Sequence, residues 1–309
     1  MDFFKKINNF NFIFYSSYFF KFSFFLFFIF IFIIFFLGLN LGLDFKGGIQ
    51  IEMKFKNFYD FNILNKEFHN LDIKNFSLQR YGSDKEFLLN ITEFDLNNKN
   101  KILNLINNYF NVDELNKCLE IRRSEYIGSV VSDKLYDDGS FSIFLAMLAM
   151  MLYITFRFNY KFALCAIIAL FHDMIFLIGV ISLFKIEFTL NVFASLMAIL
   201  GYSINDTVVI FDRIRENMIE LKKYDLYIII NESINKTLSR TLMTSFTTLL
   251  VVIILIIFGG NSLFYFSIIL FFGIIIGTYS SIFIAPYCIY LFSKYINFFI
   301  KEDIVDETP

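Results

Sequence analysis

Six apolar runs, each near the ~20 residues needed to cross a bilayer, dictate most of what this chain can fold into. They are Phe22–Leu41, Phe141–Phe156, Phe162–Phe184, Phe188–Phe211, Leu242–Phe258 and Phe266–Phe292. With 57% hydrophobic residues among 309, the chain reads as a polytopic α-helical membrane protein rather than a soluble domain. The second run is short unless its helix extends back toward Leu135. The first is too long and too uniformly apolar for a signal-peptide core, and no small-residue cleavage site follows it, so it is expected to stay as an anchor. Forty-six Phe, no Trp and two Pro point to a biased codon supply, so the Phe runs read as lipid-facing filler.

Basic residues in short loops set the expected orientation. Lys5, Lys6 and Lys21 precede the first span, and Arg157 and Lys161 join the second to the third. Arg213, Arg215, Lys222, Lys223, Lys236 and Arg240 lie between the fourth and fifth. The loop Gly259–Tyr265 carries no charge, and the third-to-fourth loop has only Lys185 and Glu187. Both termini are therefore expected in the cytoplasm, with Gly42–Tyr136 outside. The expected divisions are a cytoplasmic N-terminus (1–21), a first span (22–41), an outer domain (42–136), a five-helix bundle (137–292) and a cytoplasmic tail (293–309).

The outer segment has a readable pattern. Ile49–Phe55 alternates like a strand, Phe61–Phe68 has helical spacing, and Asn75–Arg80 and Glu86–Ile91 read as strands joined by a turn at Tyr81-Gly82-Ser83-Asp84. Asn98–Phe110 places Ile102, Leu105, Ile106 and Tyr109 on one helical face, and Cys118–Tyr126 returns as a strand. The order βαββαβ predicts a ferredoxin-like α+β domain. It contains no nucleophile–base pair, phosphate loop or metal cluster, so it reads as a binding or gripping module.

Charge and side-chain chemistry exclude several classes. The net charge of −2 and the lack of a basic stripe with stacking aromatics give no nucleic-acid surface. Cys118, Cys165 and Cys288 are scattered, and His69 and His172 are the only histidines; no disulfide framework, metal site or cofactor is implied. A membrane enzyme is not expected.

Polar residues inside the spans carry the functional signal. A charge near the hydrocarbon core costs about 2.5–3.5 kcal/mol on insertion scales, so a retained one marks an ion or proton pathway. Asp206 sits in the fourth run, six residues before Asp212 and so about 9 Å along the axis from it, nearer the cytoplasmic end. It lies beside a small-residue stripe of Ala194, Ala198, Gly201 and Asn205. The fifth run opens with Arg240, followed on the same face by Thr244, Thr247 and Thr248, a hydroxyl row able to line water or bond a neighbouring helix. His172-Asp173 lies near the middle of the third. Gly273, Gly277, Ser281 and Ala285 form a packing ladder on the sixth. A free aspartate titrates near pH 4, and burial in lipid and a nearby Arg240 act on its charge in opposite senses. A group held between them can exchange protons as helices shift, driven by about 2.3 kcal/mol per charge per 100 mV. Asp206 can equally be read as pairing with Arg240 or Asn205 to hold the bundle, and His172-Asp173 as bonding neighbouring backbone. The sequence does not separate protons from sodium as the coupling ion.

Several motifs resemble one family. Asp44-Phe45-Lys46-Gly47-Gly48 is similar to the DFxGG element after the first helix of the SecD/SecF family, with Asp44, Gly47 and Gly48 at its defining positions. His172-Asp173 resembles that family's third-helix HD motif, and Gly201–Asn217 (GYSINDTVVIFDRIREN) its SecF fourth-helix signature almost residue for residue. Ser239-Arg240-Thr241 and Phe258-Gly259-Gly260 match the ends of its fifth helix. The resemblance covers essentially the whole chain and implies half of an RND-superfamily architecture. It further implies pairing with SecD, work beside the SecYEG channel, SecA and YajC on unfolded secreted polypeptides at the bacterial inner membrane, and a proton path through Asp206 and Arg240. One departure is Ile127-Gly128-Ser129 where the family has Val-Gly-Pro, which is expected to loosen the turn that hinges the outer domain. A half-size RND exporter of small molecules or lipids, and a non-transporting scaffold, are the alternative functions.

Overall fold

The computed structural model describes residues 10–71, 73, 76–80, 83, 85–92, 99–111, 119–221 and 224–296. Six long apolar helices run through it. Helix α1 (Phe12–Leu37) starts where the Asn11 side chain accepts the Phe14 amide at 3.3 Å, and it stops at Gly38, φ +65°. Then come α2 (Leu43–Lys46) and the sheet domain, followed by α5 (Ser129–Arg157), α6 (Tyr160–Leu183), α7 (Leu190–Glu220) and α8 (Leu226–Phe258). The sixth crossing is composite: α9 (Gly260–Tyr279), a π turn (Ser280–Ile284) and α10 (Ala285–Ile296). Pro286 explains the π turn, because it has no N–H to offer the carbonyl four residues back and its ring crowds that turn.

The second run does extend backward, well beyond Leu135, to Ser129. The fifth is a 33-residue helix that takes in Lys236 and Arg240, which the loop assignment had placed outside it. No Gly or Pro stands between Leu226 and Phe258, so nothing ends the helix where hydropathy falls.

Helix α6 and the α9–α10 crossing are central, while α1, α5 and α8 turn most of their apolar surface outward. Glycines permit the closest contacts. A Cβ on Gly273 would lie 2.2 Å from Ile199 and one on Gly277 3.1 Å from Ser203, so the sixth-crossing ladder packs on α7. The stripe on α7 does not pack: Ala194, Ala198, Gly201 and Asn205 all lie on an exposed face.

The domain between α1 and α5 orders its elements β1 (Gly48–Phe55), α3 (Phe61–Asn70), β2 (Phe76–Arg80), β3 (Glu86–Ile91), α4 (Lys99–Phe110) and β4 (Leu119–Ile127). Its antiparallel sheet runs β2-β3-β1-β4. Alternation decides the faces: Ile49, Ile51, Met53 and Phe55 are buried beneath Leu64, Phe68, Ile106 and Phe110 of the two helices. The opposite face, bearing Gln50, Gln79 and Asn90, looks toward the membrane helices. In α4 half of the expected face is buried, at Ile102 and Ile106. Leu105 and Tyr109 are exposed, while Leu103 and Phe110 pack inward with Ile102 and Ile106. Parts of the expected β2–β3 turn, with Asn75, Asn98 and Cys118, lie outside the described residues.

The DFKGG element joins the layers. Gly47 and Gly48 have φ +74° and +139°, a region that side chains with a Cβ rarely adopt. A Cβ on Gly48 would sit 2.1 Å from the Ile91 carbonyl oxygen. Asp44 Oδ2 accepts the Leu190 amide at 2.8 Å, filling an unmet donor at the start of α7. At the Ile127-Gly128-Ser129 turn, Val131 N and Ser132 N donate to the Gly128 carbonyl at 3.0 and 3.1 Å and Ser132 Oγ at 3.3 Å. The turn is closed without the proline.

Candidate functional site

Two buried carboxylates sit in the helix bundle, and their surroundings differ. Asp206, on α7, is 3% exposed. Two hydroxyls of α8 reach it: Ser245 Oγ donates to Oδ2 at a long 3.5 Å, and the Thr244 hydroxyl also bonds it. Ser245 is itself shared, at 2.7 Å from Thr278 Oγ1 of α9 and 3.3 Å from the Tyr202 hydroxyl. Asp206 thus borders a hydroxyl cluster contributed by three helices, and the donors that reach it are shared with other acceptors.

Arg240 does not close on Asp206 as an ion pair, although its charge acts on the carboxylate. It is exposed and lines a cavity of about 630 Å³ between α7 and α8. Asn205, Asp212, Arg213, Glu216, Lys236 and Thr237 share that lining. The cavity therefore reaches the residue next to Asp206 and has mixed charge, a wet approach to a dry carboxylate.

Asp173, on α6, is 1% exposed and fully engaged. Ser203 Oγ of α7 and Ser280 Oγ of the π turn both donate to Oδ2 at 2.7 Å, and His172 Nδ1 lies 3.1 Å from Oδ1. His172 Nε2 is buried and makes no hydrogen bond. Three elements thus converge on one carboxylate. Ser280, the first residue of the π turn, brings the sixth crossing to it.

The sequence-derived set therefore divides. Asp206, Asn205, Arg240 and Thr244 gather between α7 and α8, whereas His172 and Asp173 form a separate centre among α6, α7 and the π turn. The threonine hydroxyls turn back onto their own helix: Thr244 donates to the carbonyls of Arg240 and Thr241, Thr247 to Met243 and Thr244, and Thr248 to Thr244, at 2.8–3.1 Å. Sequence reasoning missed Ser203, Ser245, Thr278 and Ser280. Their signal was present as lone hydroxyls in apolar runs, but only packing tells which reach a carboxylate. Among the described residues no group of three or more His, Cys, Asp or Glu side chains could hold a metal ion.

Most of the chain matches known proteins. Residues 109–295 match the family model "Protein export membrane protein SecD/SecF, C-terminal", and residues 32–57 match the "SecD/SecF GG Motif". The protein translocase subunit SecF of Pseudomonas aeruginosa is 39% identical over 248 residues, 80% of each chain. That of Helicobacter pylori strain J99 is 38% identical over 291 residues, 93% of this chain and 88% of that one. Among solved structures, SecDF from Thermus thermophilus, a translocon-associated membrane protein, superposes with a TM-score of 0.81 at 30% identity over 92% of this chain. SecDF in a super-membrane-facing form gives 0.65 at 27% over 97%. This chain spans about two fifths of those SecDF proteins (39% and 40%). A two-carboxylate helix bundle, a GG hinge below a four-stranded sheet and these relatives together place the chain in the SecD/SecF family of protein-export membrane proteins, on its SecF branch.

Proposed function

We propose that this chain is an accessory subunit of the Sec protein translocase that couples the proton-motive force to export of unfolded secreted polypeptides. It lies in the bacterial inner membrane with both termini cytoplasmic and a ferredoxin-like domain outside, pairs with SecD, and works beside SecYEG, SecA and YajC. Asp206 is the proton carrier in this reading, and Arg240, exposed at the cavity, exchanges influence with it as protons arrive. The carrying observation is that Asp206 is buried beside a charged cavity and bonded only by hydroxyls that other acceptors share. A carboxylate so placed can change protonation at small structural cost, as a relay requires. Asp173, tied by three side chains, is the pivot on which α6, α7 and the sixth crossing turn.

The exposed stripe of Ala194, Ala198, Gly201 and Asn205 supports the SecD pairing. It allows a partner helix to approach α7 closely, one helical face away from Asp206. The test is export of a secreted reporter in cells depleted of their own SecF and supplied with this chain at matched membrane abundance. Wild type rescues export and Asp206→Asn does not. Equal rescue by both would leave the chain a scaffold.

A further inference from the structure

The loop between α6 and α7 holds one acid, Glu187, and the sheet domain reaches down to it. Gln79 Nε2 of β2 donates to Oε2, and Asn90 Nδ2 of β3 donates to Oε1 at 3.3 Å. Gln50 Nε2 of β1 in turn donates to Asn90 Oδ1 at 3.0 Å. Three adjacent strands thus direct carboxamides at one carboxylate 97 and 108 positions away from its direct partners in sequence. A cavity of about 360 Å³ lies between this face and the loop.

The loop itself is tied to the chain below the sheet. Phe188 N donates to Asn40 O at 2.8 Å, Gly42 N to Phe188 O at 2.9 Å, and Leu190 N to Asp44. The sheet is joined to that platform through Gly47-Gly48 on one side and Gly128 on the other. If the Glu187 bonds open, the sheet can tilt on these glycines while the loop keeps its place at the head of α7.

We propose that Glu187 is a protonation-set clasp that fastens the outer domain to the head of the helix carrying Asp206. The proposal rests on the reading of this chain as a proton-coupled subunit only for its purpose, not for its geometry. Burial pushes the Glu187 carboxyl up, against the lowering effect of the Gln79 and Asn90 hydrogen bonds. Asp44 of α2 raises it and Lys46 lowers it. Glu52 of β1, Arg80 of β2, Tyr265 of α9 and the Arg123–Glu125 ion pair of β4 complete the charged and titratable surroundings. The docked state therefore binds the proton more tightly than the undocked state, whose carboxyl keeps the ordinary value of 4.5. Docking is strongest below pH 4.5 and weakens as pH rises through the raised docked value. Acid on the outer side closes the clasp, and its neutralisation releases it.

The experiment uses spin labels at Lys66 of α3 and Phe184 at the end of α6, in the full chain in lipid nanodiscs. Distances are read from about pH 4.5 to about pH 8. Wild type is expected to gain a longer-distance population as the pH rises. Glu187→Gln, whose amide keeps the contacts because the Gln79 carboxamide can turn its oxygen to it, stays at the short distance at every pH. Glu187→Ala shows the long distance at every pH. A wild-type distribution that ignores pH, a Gln variant that tracks pH like wild type, or an Ala variant that stays docked would each overturn the proposal. No export enters the readout, so failure here is distinct from failure of the translocase reading.

Discussion

Asp173 and Asp206 are both carboxylates in apolar helices of one bundle, and the structure treats them differently. Asp173 is met by two serine hydroxyls at 2.7 Å and by its neighbour His172. Asp206 is reached by Ser245 at 3.5 Å and by Thr244, hydroxyls that are both engaged elsewhere as well. A buried charge with its donors in place specifies a packing arrangement, and one without them is free to change state. Burial alone does not distinguish the two, since they are 1% and 3% exposed. What separates the two in the structure is how their donors are shared and the charged cavity that reaches Asn205, beside Asp206.

That contrast can be broken by substitution. The largest expected effect on stability is Asp173→Ala. It strands the Ser203 and Ser280 hydroxyls in a dry centre and should cost about 3 kcal/mol or more, read as a fall in the thermal midpoint of the detergent-solubilised protein. Asp206→Ala, by contrast, should cost less than about 1 kcal/mol while abolishing reporter export. Equal destabilisation by the two would erase the distinction. Gly48→Ala comes next: a Cβ 2.1 Å from the Ile91 oxygen at φ +139° should cost about 2–3 kcal/mol and appear as faster proteolysis of the sheet domain. Ser280→Ala removes one of the two serine donors and should cost about 1–2 kcal/mol by the same thermal assay. Smallest is Thr247→Ala, whose hydroxyl serves only its own exposed helix backbone. It should move the midpoint by less than about 0.5 kcal/mol and leave export unchanged; lost export would restore the hydroxyl row as a working surface.

The six crossings were legible because hydrophobic length is a local property, and so was the sheet domain, because Ile49 to Phe55 alternates without interruption. Helix ends were harder. Hydropathy marks where lipid begins, whereas α8 begins at Leu226 after Asp225, so its polar first half up to Arg240 reads as loop. On α4, Leu105 and Tyr109 fit the helical period as well as Leu103 and Phe110 do, and only the position of the sheet selects between them. Asp206 stood out as the lone acid deep in its run. Its shared donors did not, because Ser245 lies 39 positions from Asp206 and 33 from Thr278. Glu187 looked like an ordinary loop charge until Gln79 and Asn90 were seen above it.

The most direct test of the central claim is the carboxyl stretch in the infrared difference spectrum of the full chain reconstituted with SecD, titrated from about pH 5 to about pH 8. The account predicts a protonated-carboxyl band within the membrane part that changes with pH, disappears in Asp206→Asn and persists in Asp173→Asn. A band that survives Asp206→Asn and vanishes in Asp173→Asn would contradict it and move the proton to the other carboxylate.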